Sequence, residues 1–165
     1  MKRYANPLSE YISNVPSNEH LLCMSNNIYK SIAAHCQATL PNEACGLLSA
    51  SFSAIMNSHT VVERFIPIPN IHPEPLHAFA FEPSAWTAAL YELDRASQQI
   101  IGFYHSHPAT APVPSKSDMI GLPASSSTFM LILSFASPIP EARAYRFTQG
   151  KSAHPLFSEV KLHFM

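Results

Sequence analysis

The chain has 165 residues, of which 47% are hydrophobic and 13% charged, and its net charge is −1 when histidine is neutral. This length and composition predict one globular domain that can bury a core without disulfides or a structural metal. A net charge so close to zero argues against a protein that binds nucleic acid or an anionic membrane surface.

The cysteine count and the apolar stretches limit the compartment. Three cysteines, an odd number with no C-x-x-C pair, argue against a disulfide framework and against a thiolate zinc site. The first four residues are followed by polar residues rather than by the apolar core of a signal peptide. The longest apolar stretch, around residues 129–133, is far too short to cross a bilayer. We therefore expect a cytoplasmic protein.

The pattern along the chain predicts a flexible N-terminal extension over residues 1–20 and a single domain over residues 21–165. Residues 21–24 are apolar and predict a short buried strand, after which Ser25 is suited to cap a helix. The helix is expected to end at Pro41. Its apolar residues recur every four positions, at Ile28, Ile32, Cys36 and Leu40.

The rest of the chain predicts a mixed sheet with two main helices and a short third helix. A second helix is expected near Pro83, because proline favours the first helical turn. Its inward face would carry Trp86, Leu90 and Leu93. Residues 67–77 contain four prolines and two histidines, His72 and His77, and predict a structured loop. Strands are predicted over residues 46–52, 60–68, 100–104, 128–135, 142–148 and 156–164, with a turn at Gly150 between the last two.

The segment from His105 to Asp118 carries the strongest functional signal. On a strand, residues i and i+2 point to the same face, so His105 and His107 can direct both imidazoles at one ion. The next seven residues contain three prolines and predict a stiff excursion that is neither helix nor strand. At Ser115 the chain can restart as a helix, where Ser115 and Asp118, at i and i+3, share a face.

Two imidazoles and one carboxylate form the three-ligand set of a catalytic zinc, whose fourth position is left for water. Zinc lowers the pKa of that water from about 15.7 to near 7. A base must still take the proton of this water and give it to the leaving amine. Glu43, between the first helix and the following strand, is the candidate. We therefore expect one zinc ion per chain, bound by His105, His107 and Asp118.

These residues also resemble the motif of a known family. A glutamate before Cys-Gly-Leu-Leu, then His-Ser-His-Pro, six residues and Ser-x-x-Asp resembles the JAMM motif of the MPN+ (Mov34/MPN/PAD-1) zinc metalloproteases. The resemblance covers residues 21–164 and implies an α/β fold, a single MPN domain with layers like those of cytidine deaminases. It also implies that His105, His107 and Asp118 bind zinc, that Glu43 is the general acid–base and that Ser115 stabilises the oxyanion.

The short segments after the histidines resemble the compact bacterial members of the family. Only residues 108–114 precede Ser115, and residues 119–127 separate Asp118 from the next predicted strand. The resemblance implies a metallopeptidase or isopeptidase that hydrolyses an amide bond at the extended C-terminal tail of a ubiquitin-like or sulfur-carrier protein. The leaving group of this reaction can be a lysine side chain, a peptide or a free amino acid.

Other interpretations of the same residues have weaker support. A non-catalytic MPN scaffold is the main alternative, but such domains typically lack part of the ligand set. Zinc amidohydrolases need a barrel of about 250 residues, and nucleoside deaminases need H-x-E followed by P-C-x-x-C. Asp118 could be an ordinary first-turn acid and Ser115 only a helix cap. Cys45 is expected to be a small buried residue rather than a nucleophile, because no further histidine is positioned to activate it.

Overall fold

Eight strands form one mixed sheet in the computed structural model, which describes residues 20–120, 128–149 and 155–165. The strands are Leu21–Met24 (β1), Cys45–Ser51 (β2), His59–Val62 (β3), Arg64–Ile68 (β4), Gln98–His107 (β5), Thr128–Ser134 (β6), Glu141–Gln149 (β7) and Pro155–Phe164 (β8). Their order across the sheet is β3-β1-β8-β7-β6-β5-β2-β4. The pairs β1–β3, β1–β8 and β5–β6 are parallel and the others are antiparallel, which confirms the predicted mixed sheet.

Two α-helices, Asn26–Thr39 (α1) and Pro83–Arg95 (α2), occur in the described residues, and both begin at the predicted positions. The side chain of Ser25 accepts a hydrogen bond from the amide of Ile28 at 3.2 Å, as expected of an N-cap. Glu82 caps α2 by accepting the first free amides of that helix, and Pro83 occupies its first turn. Neither helix has the length and apolarity required to cross a membrane.

The helices cover opposite faces of the sheet. On α1, Ile32 and Cys36 are buried in the same cluster as Tyr104, whereas Leu93 of α2 is buried in a cluster with Phe103. Successive residues of a strand point to opposite faces, so Tyr104 and Phe103 mark the two sides of β5. The described domain is therefore a layered α/β structure, with the sheet between its helices.

Two predicted details of the elements are wrong, and a third is present in a different form. Leu90 is 41% exposed, and the buried stripe of α2 passes instead through Ala89 and Leu93, because the small Ala89 brings the helix close to the sheet. The single strand predicted over residues 60–68 is divided into β3 and β4. The division falls at Glu63, whose amide donates to the carbonyl of Ser49 in β2, so the chain changes sheet neighbour there.

The third difference concerns the short third helix. In the described residues it is a single 3-10 turn, Ser117–Met119. Lys116 precedes this turn, and Ile120, the residue after the turn, is again in an extended conformation. The predicted N-terminal extension, the turn at Gly150 and residues 121–127 lie outside the described residues, except for His20.

One edge of the sheet collects the segments that carry the predicted site. Strands β5 and β6 are parallel, so both end at this edge, at His107 and Ser134. Strand β2 is antiparallel to β5 and therefore begins there at Cys45, and β4, antiparallel to β2, ends there at Ile68. The topology thus brings the residue before β2, the end of β5 and the loop after β4 together.

Candidate metal centre and catalytic site

The three predicted metal ligands meet in the interior. His105 and His107 alternate with Ser106 on β5, and both imidazoles are buried, with exposed fractions of 0% and 3%. Their Nε2 atoms lie 3.1 Å apart. The Oδ2 atom of Asp118 lies 3.2 Å from Nε2 of His105 and 3.4 Å from Nε2 of His107. Within the described ranges, this is the only group of three His, Cys, Asp or Glu side chains that could share an ion.

The spacing of these atoms fits a tetrahedral zinc ion. Zinc bonds to imidazole nitrogen and carboxylate oxygen are about 2.0–2.1 Å long, which places neighbouring tetrahedral ligand atoms about 3.3–3.4 Å apart. The three observed separations run from 3.1 to 3.4 Å. The donor set therefore fits the cation without a change of side-chain rotamer.

Orphaned polar atoms at the site support the same conclusion. Oδ1 of Asp118 and Oε2 of Glu43 are buried and have no hydrogen-bond partner among the described residues. Buried carboxylate oxygens without a partner cost free energy, and such atoms in proteins usually indicate an ion or water. A cation with a bound water would supply partners to both carboxylates.

The ring of His107 is held in the orientation that metal binding needs. Its Nδ1 lies 2.7 Å from the carbonyl oxygen of Ala111, which can only accept, so Nδ1 carries the proton. Nε2 is then the free lone pair, and it faces Asp118. The ring of His105 is set by packing, because the ring of Phe79 lies against it with centroids 4.6 Å apart. Its Nδ1 is buried with no hydrogen-bond partner in the described residues.

The proline-rich excursion after His107 is fastened to the sheet. The hydroxyl of Ser134 donates to the carbonyl of Thr110 at 2.6 Å, and the buried hydroxyl of Tyr145 donates to the carbonyl of Pro112 at 2.8 Å. Together with the bond from His107, these contacts hold three consecutive carbonyls. The excursion therefore returns Asp118 to the histidines along a fixed path.

Ser115 holds the carboxylate of Asp118 in place. The amide of Ser115 donates to Oδ2 of Asp118 at 2.7 Å, and the amide of Asp118 donates to Oγ of Ser115 at 3.2 Å. The predicted i, i+3 relation is thus present, although the turn is 3-10 rather than α. The hydroxyl proton of Ser115 remains available to Ser117, whose Oγ lies at 3.2 Å, or to a bound substrate.

Glu43 lies between α1 and β2, with a side chain that is only 4% exposed. The amide of the next residue, Ala44, donates to Oγ of Ser106 at 2.8 Å, and its carbonyl accepts from the amide of Ser106. Ser106 points away from the face of its two histidine neighbours because strand residues alternate. The peptide after Glu43 is therefore bonded to the strand that carries the imidazoles.

The two carboxylates have opposite pKa shifts in the metal-free site. Burial raises the pKa of Glu43 to about 7; the charge of His107 opposes this shift and that of Asp118 adds to it. Burial alone would also raise the pKa of Asp118, but the charges and hydrogen bonds of His105 and His107 hold it well below its ordinary range. Burial alone would lower the pKa of His107, but the hydrogen bond and the charge of Asp118 outweigh burial, so the pKa of His107 is raised. Asp118 is thus a permanent anion, while Glu43 can exchange a proton near neutral pH.

The remaining candidates lie outside the cluster. Cys45 is fully buried and its thiol donates to the carbonyl of Ile68 at 3.3 Å. Burial raises the pKa of this thiol to about 12, so it is not a thiolate nucleophile. In the proline-rich loop, Nδ1 of His72 accepts from the amide of Glu74, and neither His72 nor His77 joins the ligand group. Trp86 packs against Phe81 and Phe103 in the core.

Three residues at the site had not been singled out from the sequence. Ser106 could have been found, since the alternation that directs two histidines to one face directs the serine between them to the other. Asn70 and Phe79 belong to the proline-rich loop, which in the structure extends over residues 69–82 between β4 and α2, and in which no periodicity indicates which side chains face inward. Their contacts with Glu43 and His105 depend on tertiary structure alone.

Comparison with known proteins identifies the family. A sequence model of the prokaryotic homologs of the JAB domain matches residues 25–148. The chain belongs to this prokaryotic JAB family. The predicted resemblance to JAMM/MPN proteins is thereby confirmed, and the matched range contains all five predicted site residues, Glu43, His105, His107, Ser115 and Asp118.

Curated relatives of this JAB domain include hydrolases of protein conjugates. A protein of Thermus thermophilus, named "Probable TtuB-protein conjugate cleaving protease", is 33% identical over 99 residues, 60% of this chain and 62% of the relative. The desampylase of Haloferax volcanii is 35% identical over 78 residues, 47% of this chain and 52% of the relative. A CysO-cysteine peptidase of Mycobacterium tuberculosis is 24% identical over 131 residues, 79% of this chain and 86% of the relative. The chain thus spans about three fifths and one half of the first two relatives.

A solved structure supports the fold of this JAB domain. The solution structure of a protein from Desulfitobacterium hafniense aligns with a TM-score of 0.73 and 27% sequence identity. The alignment covers 87% of this chain and 92% of that protein. The single α/β domain described above is therefore a known architecture over nearly all of its length.

Proposed function

We propose that this JAB domain, over residues 21–165, is a zinc-dependent metallopeptidase with one zinc ion per chain. Its substrate would be a ubiquitin-like or sulfur-carrier protein, cleaved at an amide or isopeptide bond of its extended C-terminal tail. The observation that carries the proposal is the buried two-histidine, one-aspartate group with ligand atoms 3.1–3.4 Å apart and the buried Glu43 beside it. The names of the relatives, which describe cleavage of TtuB conjugates and of CysO-cysteine, support the substrate class.

In this proposal, His105, His107 and Asp118 would hold the ion. When bound, zinc supplies a water whose pKa is near 7 instead of about 15.7 and a positive charge that polarises a carbonyl. Glu43 takes one proton from the attacking water and passes it to the nitrogen of the departing amine, so the amide and water become a carboxylic acid and an amine, and the acid then gives its proton to the amine or to solvent.

Ser115 is assigned to the oxyanion. Its amide is bonded to Asp118, and its Oγ accepts a hydrogen bond from the Asp118 amide, so its hydroxyl proton can be donated to Oγ of Ser117 or to a substrate. A donated hydrogen bond of this kind stabilises negative charge that develops on the carbonyl oxygen. Because water is the nucleophile and Cys45 is a buried thiol, no covalent acyl-enzyme forms.

A cytoplasmic location fits this assignment. All three cysteines are buried and free, as expected in a reducing compartment. A net charge of −1 gives no reason to include nucleic acid or membrane lipid among the partners. The alternative function is a non-catalytic MPN scaffold, and the following experiment distinguishes it from the metallopeptidase.

The test combines metal content with hydrolysis. Wild type, Glu43→Gln and His107→Ala are purified, their zinc is measured by mass spectrometry, and each is assayed on fusions that carry an amide-linked group after a ubiquitin-like C-terminal tail. We expect Glu43→Gln to keep about one zinc per chain and to lose about 10²–10⁴-fold in rate, the usual effect of a positioned acid–base group. His107→Ala should lose the metal.

Two results would contradict the proposal. Near-full activity of Glu43→Gln would remove Glu43 from the acid–base role. Wild type that binds no zinc even after metal is added back would favour the scaffold, and the search would then move to a protein partner.

A further inference from the structure

Asn70 is the second residue of the segment between β4 and α2, and its whole side-chain amide takes part in hydrogen bonds. Its Nδ2 donates to the carbonyl of Glu43 at 2.9 Å and to the carbonyl of Ala78 at 3.0 Å. Its Oδ1 accepts from the amides of His72 and Ala80, both at 3.0 Å. An asparagine side chain has two donors and two acceptor lone pairs, so every one of them is satisfied here.

The two ends of the Asn70 amide do different things. The Oδ1 bonds close the proline-rich loop on itself, through a turn at His72 and a second contact at Ala80. The Nδ2 bond to Glu43 leaves the loop and connects it to the segment before β2, 27 residues away in sequence. Loop closure and attachment to Glu43 therefore depend on the same amide group.

Both backbone polar groups of Glu43 end in this loop. Its carbonyl accepts from Asn70, and its amide donates to the carbonyl of Pro75 at 2.7 Å. Glu43 lies two residues before Cys45, the first residue of β2, so its backbone groups do not take part in the hydrogen bonds of the sheet. The loop therefore fixes the peptide from which the Glu43 carboxylate projects. The same loop carries Phe79, which packs on His105.

We propose that Asn70 is a positioning residue that joins the proline-rich loop to Glu43 and thereby sets the direction of the Glu43 carboxylate. The catalytic consequence rests on the function proposed above. Displacement of a catalytic group by about 1 Å can reduce a rate about 10²-fold. Asn70 contacts no substrate atom in this scheme, so the effect should fall on kcat rather than on KM.

Asn70→Asp separates the two roles of the amide. The aspartate keeps an oxygen that can accept from the amides of His72 and Ala80, so these two loop bonds can remain. It loses both donors, so the bond to the Ala78 carbonyl within the loop is lost together with the link to the Glu43 carbonyl. We expect kcat to fall about 10- to 100-fold, with KM changed less than about twofold. The matched control is Asn26→Asp, because Asn26 also donates through Nδ2 to a backbone carbonyl, that of Met165, but in an exposed position away from the site. It should keep kcat within about twofold of wild type.

A double-mutant cycle distinguishes positioning of Glu43 from a general structural effect. If Asn70 acts through the carboxylate, Asn70→Asp in a Glu43→Gln background should lower the residual rate less than about twofold, because the group being positioned is already absent. An equal loss in both backgrounds would overturn the proposal, as would unchanged kcat in Asn70→Asp with an unaltered thermal transition.

Amide hydrogen exchange gives a measurement that needs no substrate. The Glu43 amide is bonded to the carbonyl of Pro75 in the same loop, so Asn70→Asp, which detaches the loop from Glu43, should accelerate exchange at this amide. The Ala44 amide, which is bonded to Ser106 on β5, should stay protected. If the wild type proves inactive but Asn70→Asp still shows this faster exchange, the link between Asn70 and Glu43 is retained and only the proposed function is rejected. Unchanged exchange at Glu43 would reject the link, whether or not the wild type is active. Asn70→Ala, which removes all four bonds, serves as the stronger variant if it remains folded.

Discussion

Glu43 and Asp118 share the same histidine neighbour, His107, but their pKa values are shifted in opposite directions. Asp118 accepts the amide of Ser115 and lies beside two imidazoles, so its ionised form is favoured in spite of burial. Glu43 has one buried oxygen without a partner, so its ionised form is disfavoured. The division suits a site in which one carboxylate holds a cation and the other carries a proton.

The raised pKa of Glu43 predicts how stability depends on pH in the metal-free protein. Its pKa changes from 4.5 to about 7 on folding, so ionisation opposes folding. This cost is absent below pH 4.5, grows between pH 4.5 and 7, and is complete above pH 7. With a chelator present, Glu43→Gln should be more stable than wild type at pH 8, and the difference should shrink as pH falls towards 4.5. Urea denaturation across this range measures it, and a difference independent of pH would show that Glu43 does not titrate as described.

At the scale of elements, the close approach of β2 and β5 depends on Gly46. A Cβ atom at this position would lie 2.4 Å from the carbonyl oxygen of Ile66 and 2.4 Å from the ring of Tyr104. The register explains both contacts, because Gly46 lies opposite Tyr104 on β5 and opposite Pro67, the residue after Ile66, on β4. The buried tyrosine therefore fills the space that a side chain would need.

Gly46→Ala should consequently destabilise the domain. Overpacking of a filled core usually costs about 1–3 kcal/mol, and here one of the obstructing atoms belongs to the backbone. Thermal denaturation should show a lower Tm, whereas Ala38→Ser, which adds one atom on the exposed side of α1, should leave it nearly unchanged. An unaltered Tm in Gly46→Ala would mean that the sheet opens to admit the methyl group.

The elements that could be predicted are those whose signal is local. The four-residue stripe and the Ser25 cap define α1, and Pro83 marks the start of α2. The break between β3 and β4 could not be predicted, because it depends on a bond from Glu63 to a different strand. The exposure of Leu90 was missed for a similar reason, since a hydrophobic pattern does not show that the small Ala89 is the residue that touches the sheet.

The candidate site was predictable to the extent that spacing determines direction. Alternation on a strand places His105 and His107 on one face, and the offset of three between Ser115 and Asp118 persists in the 3-10 turn. The loop that holds Glu43 was not predictable beyond its prolines. Asn70 acts there through bonds to residues 8, 10 and 27 positions away, and no local pattern encodes such contacts.

At the scale of the whole molecule, the proposed zinc site predicts that stability depends on metal. A ligand that binds only the folded state adds stability that grows with its concentration, about 4 kcal/mol when free ligand exceeds Kd a thousandfold. We expect zinc to raise the Tm of wild type and a chelator to lower it. Asp118→Ala should show a smaller response, because the remaining histidines form an incomplete set. Differential scanning calorimetry with and without zinc measures this, and an Asp118→Ala response equal to wild type would remove Asp118 from the ligands.

The parallel pairing of β5 with β6 has an evolutionary consequence. Two parallel neighbours cannot be joined by a tight hairpin and require a crossover connection. In this chain the crossover is residues 108–127, and Asp118 lies within it. The connection that the topology demands is thus also the one that completes the ligand set. Residues can be inserted or deleted after Asp118 without shifting the strand register, so lineages can vary the length of this connection while the candidate ligands keep their places.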